Sequence, residues 1–337
     1  MDDIKNRQHY KILIDGKSPN GSGYEWSLPS EDQPGEWHEF DGELIANVSG
    51  FQIISDIYHG SFEKHLQIFP VEVDWDAGYE PGISDTCVVR RLRLLPSPEV
   101  IIVGNVKIYT KDGKLHRDGD QPAVILSKRH QRWYKNGLKH RDGDQPAEIL
   151  PDGTKKYWQN DELHRDGDKP AVIKEDGTQI WYKNNQRHRD GDQPAVIHSD
   201  GLTMWLKHGE IHRDGDKPAV IDPCGVQMWY KNDRKHRDGD QPAMIEADGT
   251  LRYYQHDALH RDGDQPAVIY PDGGQSWYQN DTLHRGGDKP AMIDSDGVQY
   301  WYQYGKPKRE GGKPTVVYPD GSIRNYRFGD KSTPNLF

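Results

Sequence analysis

The sequence predicts a mainly β protein: an elongated array of stacked β-hairpins, a solenoid or ribbon, with a small α+β domain on its N-terminal side. Three observations predict it. His-Arg recurs at His116, His140, His164, His188, His212, His236, His260 and His284, always 24 residues apart, and an altered ninth copy starts at Lys308. A unit this short, with turn signals at both ends, has no room for a helix of three turns. Only 33% of residues are hydrophobic, yet the chain holds 10 Trp, 18 Tyr, 35 Gly and 22 Pro. That combination fits a thin, turn-rich structure held by aromatic packing and opposes disorder, which is usually poor in aromatics.

In chain order, residues 1–105 do not repeat. GELIANVSGFQII and LQIFPVEVDW are expected strands, CVVRRLRLL a weaker third, and DIYHGSFEKHL a short helix. Together they predict an α+β domain ending near SPEV at 97–100. The segment contains no P-loop, no G-x-G-x-x-G, no G-x-S-x-G and no H-E-x-x-H. The array is expected over 106–330, with a tail at 331–337. It opens on a half unit, VKIYTKDGKLHRDGD (106–120), in which Tyr109 takes the place of Trp, and closes on IRNYRFGD (323–330).

A representative unit is PAVIKEDGTQIWYKNNQRHRDGDQ, 170–193. AVIK and QIWYK are expected strands. Asp-Gly between them supplies the positive φ of a hairpin turn. Asn-Asn, elsewhere Asn-Gly or Asn-Asp, marks a second turn. HRDGDQP returns the chain, and proline at the first position of the next strand removes no interior ladder bond. Period two puts Ala171 with Ile173 on one face, expected to be the drier one, and sets Trp181 against Tyr182 on opposite faces. One unit cannot bury its apolar face alone, so units must stack.

Units of the form DG…WY.N…HRDGD.PA resemble the divergent MORN-like hairpin repeats of bacterial, phage and giant-virus proteins. The resemblance covers 106–330. It implies a stacked hairpin array that serves as an interaction scaffold. The glycines that follow Tyr and Trp in standard MORN units are missing here.

Charge narrows the partners. Residues 1–108 carry 18 acidic and 9 basic side chains, and the remainder 36 and 35. Neither part is basic enough to track a phosphate backbone, which argues against nucleic acid. No apolar run reaches the length of a membrane span. Two distant cysteines, Cys87 and Cys224, form neither a disulfide framework nor a metal motif, and MDDIKNRQHY is unlike a signal peptide. The expectation is a cytoplasmic protein, the cytoplasm of an infected host cell included.

HRDGD invites a catalytic or metal reading. Asp118 with Asp120, and Asp142 with Asp144, flank glycine as in part of a calcium loop, but a hard cation needs six or more oxygens. The turn reading has Asp accepting backbone N–H bonds, Gly at positive φ and Arg pairing with a neighbouring unit's Asp. The array favours the turn: the eighth copy is HRGGD and the ninth KREGG, while Pro290 and Pro314 persist. Each His is then expected to bond a carbonyl or carboxylate, rather than share a metal or form eight active sites. His38, Glu39 and Glu43 are close in sequence only, and are read as a solvated loop.

The candidate binding surface is the second strand. Arg132, Ile180, Met204, Met228, Ser276 and Tyr300 vary on a regular frame, as a recognition surface would, and Tyr182, Tyr230, Tyr278 and Tyr302 form an aromatic row beside them. The leading reading is therefore a non-enzymatic scaffold that presents its repeats to a protein partner, without cofactor. Two alternatives stand beside it: an enzymatic or toxin-like N-terminal module targeted by the repeats, and a calcium-stiffened virion or surface component. Exposed strand edges make homo-oligomers a further expectation.

Overall fold

The computed structural model of the chain describes residues 8–14, 26–30, 33–39, 51–54, 66–81, 86–103 and 105–325. These divide into two compact units: 1–176 with 182–185, and 177–181 with 186–337. Every regular element among the described residues is a strand or a short 3-10 turn. The helix expected at DIYHGSFEKHL lies outside the described residues, apart from Leu66, which opens a strand. The tail 331–337 also lies outside them.

In the first unit, the non-repeating part is an antiparallel sheet. Its strands are β1 (His9–Ile14), β2 (His38–Glu39), β3 (Phe51–Ile54), β4 (Leu66–Val73), β5 (Tyr79–Pro81), β6 (Thr86–Val89), β7 (Arg91–Leu94) and β8 (Val100–Val103). β1 pairs with β4 along its whole length, from His9↔Val71 to Ile14↔Leu66. β4 also pairs with β7, β3 with both β1 and β6, and β5 with β6. Alternation along these strands fills one core with Leu13, Phe69, Val71, Cys87, Val89, Leu92 and Leu94, which Trp26 joins from outside the strands. Burial in that core pushes the Cys87 thiol up to about 11. β8 pairs with β9 (Val106–Lys111), the first strand of the array.

The repeats differ from the expected two-strand unit. Residues 195–218 serve as the example. Val196–Ile197 pairs with Thr203–Met204 across Asp-Gly, and Thr203–Met204 pairs onward with Val220–Ile221 of the next unit. These pairs build an antiparallel meander. The expected second strand is interrupted at Trp205. Beyond the break, Leu206–Lys207 pairs with Glu210–Ile211 to make a separate two-residue side hairpin. Each unit thus has four short strands, two in the sheet and two beside it. Trp205 N–H donates to Ala219 O at 2.8 Å, and His212 N–H to Trp205 O at 3.0 Å, so the break keeps its backbone bonds.

Turn chemistry explains the connections. At Asp200-Gly201 only the glycine takes positive φ, +98°. His198 O accepts the Gly201 N–H and Leu202 O the His198 N–H, which makes a type I turn with a glycine bulge. The side-hairpin turn instead needs positive φ at both central residues: 52° at His208 and 92° at Gly209 here, 52° and 63° at Asn184 and Asn185. Asn, Asp and Gly tolerate that region best, which accounts for the Asn-Gly and Asn-Asp pairs.

The expected dry face is corrected. Ala is fully buried in its units, but the residue after it is the second buried one: Val124, Val196, Val220 and Val268 are at most 5% exposed. Ile173, Ile197 and Ile221 are only half-buried. The sheet strand is just the Val-Ile pair, and Ala lies on the bend before it, so Ala does not share a face with Ile by alternation. In the second unit, Ala195, Val196 and Leu206 form one inner cluster with Ile180, Met204 and Ile211. Leu283, Ala291, Val298, Tyr300, Tyr302 and Val316 form another.

Candidate functional site

The repeated loop HRDGDQP is built around its arginine. In all nine units the guanidinium lies over the aromatic ring eight residues earlier, from Arg117 over Tyr109 at 3.7 Å to Arg141 over Trp133 at 4.1 Å. In all nine, one terminal nitrogen donates to the carbonyl of the loop's own proline, as Arg213 does to Pro218 at 3.1 Å. Along the array, the remaining edge grips the second Asp of the preceding loop. Examples are Arg165 Nε to Asp144 at 2.6 Å, Arg213 Nε to Asp192 at 2.6 Å and Arg309 Nε to Asp288 at 2.7 Å. Stacking, a carbonyl and a carboxylate use all sides of a planar guanidinium, which lysine could not do.

Four loops add a lysine where the others have glutamine. Lys169, Lys217, Lys289 and Lys313 reach Asp144, Asp192, Asp264 and Asp288 at 2.5–2.6 Å. Hydrogen bonds from Arg165 and Lys169 hold the Asp144 carboxyl down to about 2, and those from Arg309 and Lys313 do the same to Asp288.

The first Asp, where a loop has one, serves its own unit. Asp142 accepts from Lys135 and lies 3.0 Å from His140 Nε2, and Asp214 does the same with Lys207 and His212. The other ring nitrogen faces the next unit. His116 Nδ1 accepts the Asn136 N–H at 3.0 Å, and His188 Nδ1 the His208 N–H at 3.3 Å. An Nδ1 that accepts requires the proton on Nε2, where the Asp lies, so the turn fixes the neutral tautomer. Beside this bond, the side-hairpin turn donates to the preceding unit (Asp233 N–H to Ile211 O), and Asp233 Oδ1 accepts the Ile211 N–H at 2.6 Å. The sequence marked these histidines and aspartates. It did not show the latch, because its partner lies 20 to 22 residues away on a turn.

The two carboxylates proposed as a calcium pair thus have separate partners. Asp118 turns to His116 and Lys111, and Asp120 to Arg141. Asp142 turns to Lys135 and His140, and Asp144 to Arg165 and Lys169. Among the described residues, no group of three or more His, Cys, Asp or Glu side chains is placed to hold a metal ion.

Of the eight residues singled out for binding, Ile180, Met204, Met228 and Tyr300 lie on the inner face of the sheet. Met204 lies directly opposite Val196 and Val220, Met228 opposite Val220, and Tyr300 opposite Val316, so each shares the buried valine face. Ile180, opposite Val196, shares it too. Tyr182, Tyr230 and Tyr278 on the side hairpins are half-buried, and Tyr302 is 6% exposed. Tyr278 and Tyr302 pack in the same cluster as Tyr300.

The opposite face of the sheet is more open. In the second unit it carries Ile197, Ile221, Ile245, Ile269, Ile293 and Val317 at one register position, all half-buried and none in the inner clusters. Their cross-strand neighbours are Thr203, Gln227, Leu251, Gln275, Gln299 and Ile323. His38 and Glu39 form the short β2 against β7, and His38 Nε2 accepts the Ser27 N–H at 3.1 Å; Glu43 lies outside the described residues. No described helix is long and apolar enough to cross a membrane. Neither a family model nor a curated protein matches the chain.

Proposed function

We propose that the protein is an interaction scaffold of the MORN-like kind, and that its repeats bind a protein partner through the outer face of the meander. One observation supports this above the others: the half-buried aliphatic stripe from Ile197 to Val317, bordered at four of its six positions by Thr203, Gln227, Gln275 and Gln299. A regular apolar stripe with polar margins on an otherwise very polar surface is the composition of a protein-recognition patch. The inner face and the loops are occupied by contacts within the array, so they supply the rigid frame. The aliphatic column supplies apolar contact, and the residue opposite each aliphatic, which varies among Thr, Gln, Leu and Ile, supplies selectivity.

The test is a variant with Ile197, Ile245 and Ile293 changed to Glu. Affinity capture with the intact chain and with this variant should recover a partner only with the former, while thermal melting stays within a few degrees. Unchanged capture, or collapse of the melting transition, would reject the surface.

A further inference from the structure

The arginine seat of the first loop differs from those that follow. Arg117 keeps the ring of Tyr109 and the carbonyl of Pro122. No preceding loop exists to give it a carboxylate, and among the described residues nothing takes that place. The neighbouring strands are otherwise capped. β4 supplies what a preceding side hairpin supplies elsewhere: Gln67 pairs with Lys114, Gly113 O accepts the Ile68 N–H, and the Phe69 ring packs on Gly113. The non-repeating sheet thus covers the first side hairpin and leaves the first loop open.

The opening is a cavity of about 940 Å³, against 130 to 390 Å³ for cavities between successive loops, the one between the first and second loops included. Arg117 lines it, together with Leu28, Phe69, Ser97, Val100 and Tyr109. Leu28 is 45% exposed and Val100 39%, two of the few large hydrophobic side chains in the described structure that face solvent. Glu99 borders the same space and gives its main-chain oxygen to Thr110.

We propose that this cavity is a binding site for an acidic peptide segment, in which an Asp or Glu carboxylate takes the seat on Arg117 and an adjacent apolar residue rests on Leu28 and Val100. The protein's own repeats are the template, since seven equivalent arginines hold an aspartate from the preceding loop, with Nε–Oδ distances of 2.5–2.7 Å. Bidentate pairing with a carboxylate is what a guanidinium edge does best. A second copy of the chain does not fit as donor. The second aspartates of its loops are largely engaged by their own following arginines, and its ninth loop has Gly312 at that position. The proposed occupant is a segment of a different protein.

The probe is a labelled peptide, RDGDQPAV, which carries the seat-filling aspartate of the loops. Its control is RDGNQPAV, and succinate tests whether a free carboxylate suffices. Fluorescence anisotropy with the full-length chain should show RDGDQPAV binding at least tenfold tighter than the control, with succinate competing only weakly. Arg117→Lys should weaken binding about tenfold, because it keeps the charge and loses the fork. Arg117 also contacts Tyr109 and Pro122, so a second variant leaves the arginine intact: Leu28→Glu, at an exposed position, adds a carboxylate to the cavity and should abolish binding in a protein that melts normally. Equal affinity for the two peptides, no binding of either, or binding unaffected by Leu28→Glu would overturn the proposal. Succinate competing as well as the peptide would overturn the peptide in favour of a small carboxylate.

Discussion

Two patches of the inner layer occupy the same backbone and use opposite chemistry. In one, Val196 lies between Ile180 and Met204, all apolar. In the other, the position of Val196 is Glu148, 3% exposed, between Arg132 and Lys156. Arg132 donates to Glu148 at 2.8 Å, and Lys156 lies 3.7 Å away. Burial alone would raise the Glu148 carboxyl, but Lys139, Lys156 and Arg132 outweigh it and hold it below the usual range. A valine and a triad of charges fit the same register, so the inner side chains do not set it. The shared features are the Asp-Gly bulge, the aromatic under its arginine and the latch at the side-hairpin turn.

The sharpest way to break the equivalence is Glu148→Ala. It leaves the half-buried Arg132 and Lys156 without their anion, and such a loss costs about 3 kcal/mol. Replacing Arg132, Glu148 and Lys156 together by Met, Val and Ile, the residue types of the apolar patch, should restore wild-type stability or exceed it. Urea unfolding of the two variants decides the matter. If the triple variant is as damaged as the single one, the charges are needed for register.

The next largest effect belongs to the shared frame. Arg237→Ala removes a stack on Trp229, a bond to Pro242 and a paired Asp216. Most of this lies near the surface, so the loss should be about 2 kcal/mol. Because each repeat touches mainly its neighbours, the damage should stay local. Amide exchange should therefore quicken in residues 205–245 and hardly change in β1 and β4. Uniform loss of protection would contradict a frame assembled loop by loop.

These arginines also mark what was legible in the sequence. The 24-residue period, the hairpin array and the pairing of Arg with a neighbouring unit's Asp follow from spacing and charge. The interruption at Trp205, the fourth strand and the buried valine face do not. A strand of two residues carries no usable period-two signal, and the bonds that set the Trp205 break run to Ala219, fourteen residues on. The stack of Arg on Trp or Tyr was hidden for a related reason. Its members are eight residues apart, a spacing that belongs to neither helix nor strand, and the side hairpin between them brings them together. The open seat at Arg117 was beyond the sequence, since it follows from how β4 caps one part of the first unit and not another.

A smaller effect separates loops with lysine from loops with glutamine. Asp144 and Asp288, each held by both Arg and Lys, are depressed to about 2, whereas Asp216 and Asp240, held by Arg alone, are lowered less far. A carboxyl depressed in the folded state stabilises it fully above the unfolded value of about 3.9, and that contribution fades as pH falls through the folded value. Acidification from pH 5 should therefore release the glutamine loops first and the lysine loops only near pH 2. Carboxyl chemical shifts followed by NMR would show the order. Lys169→Gln should move Asp144 up into the company of Asp216 with little change in stability at neutral pH, because the pair is exposed and screened. If Asp144 titrated unchanged in that variant, Arg165 alone would account for its depression, and the lysine would be an ornament of the loop rather than part of its grip.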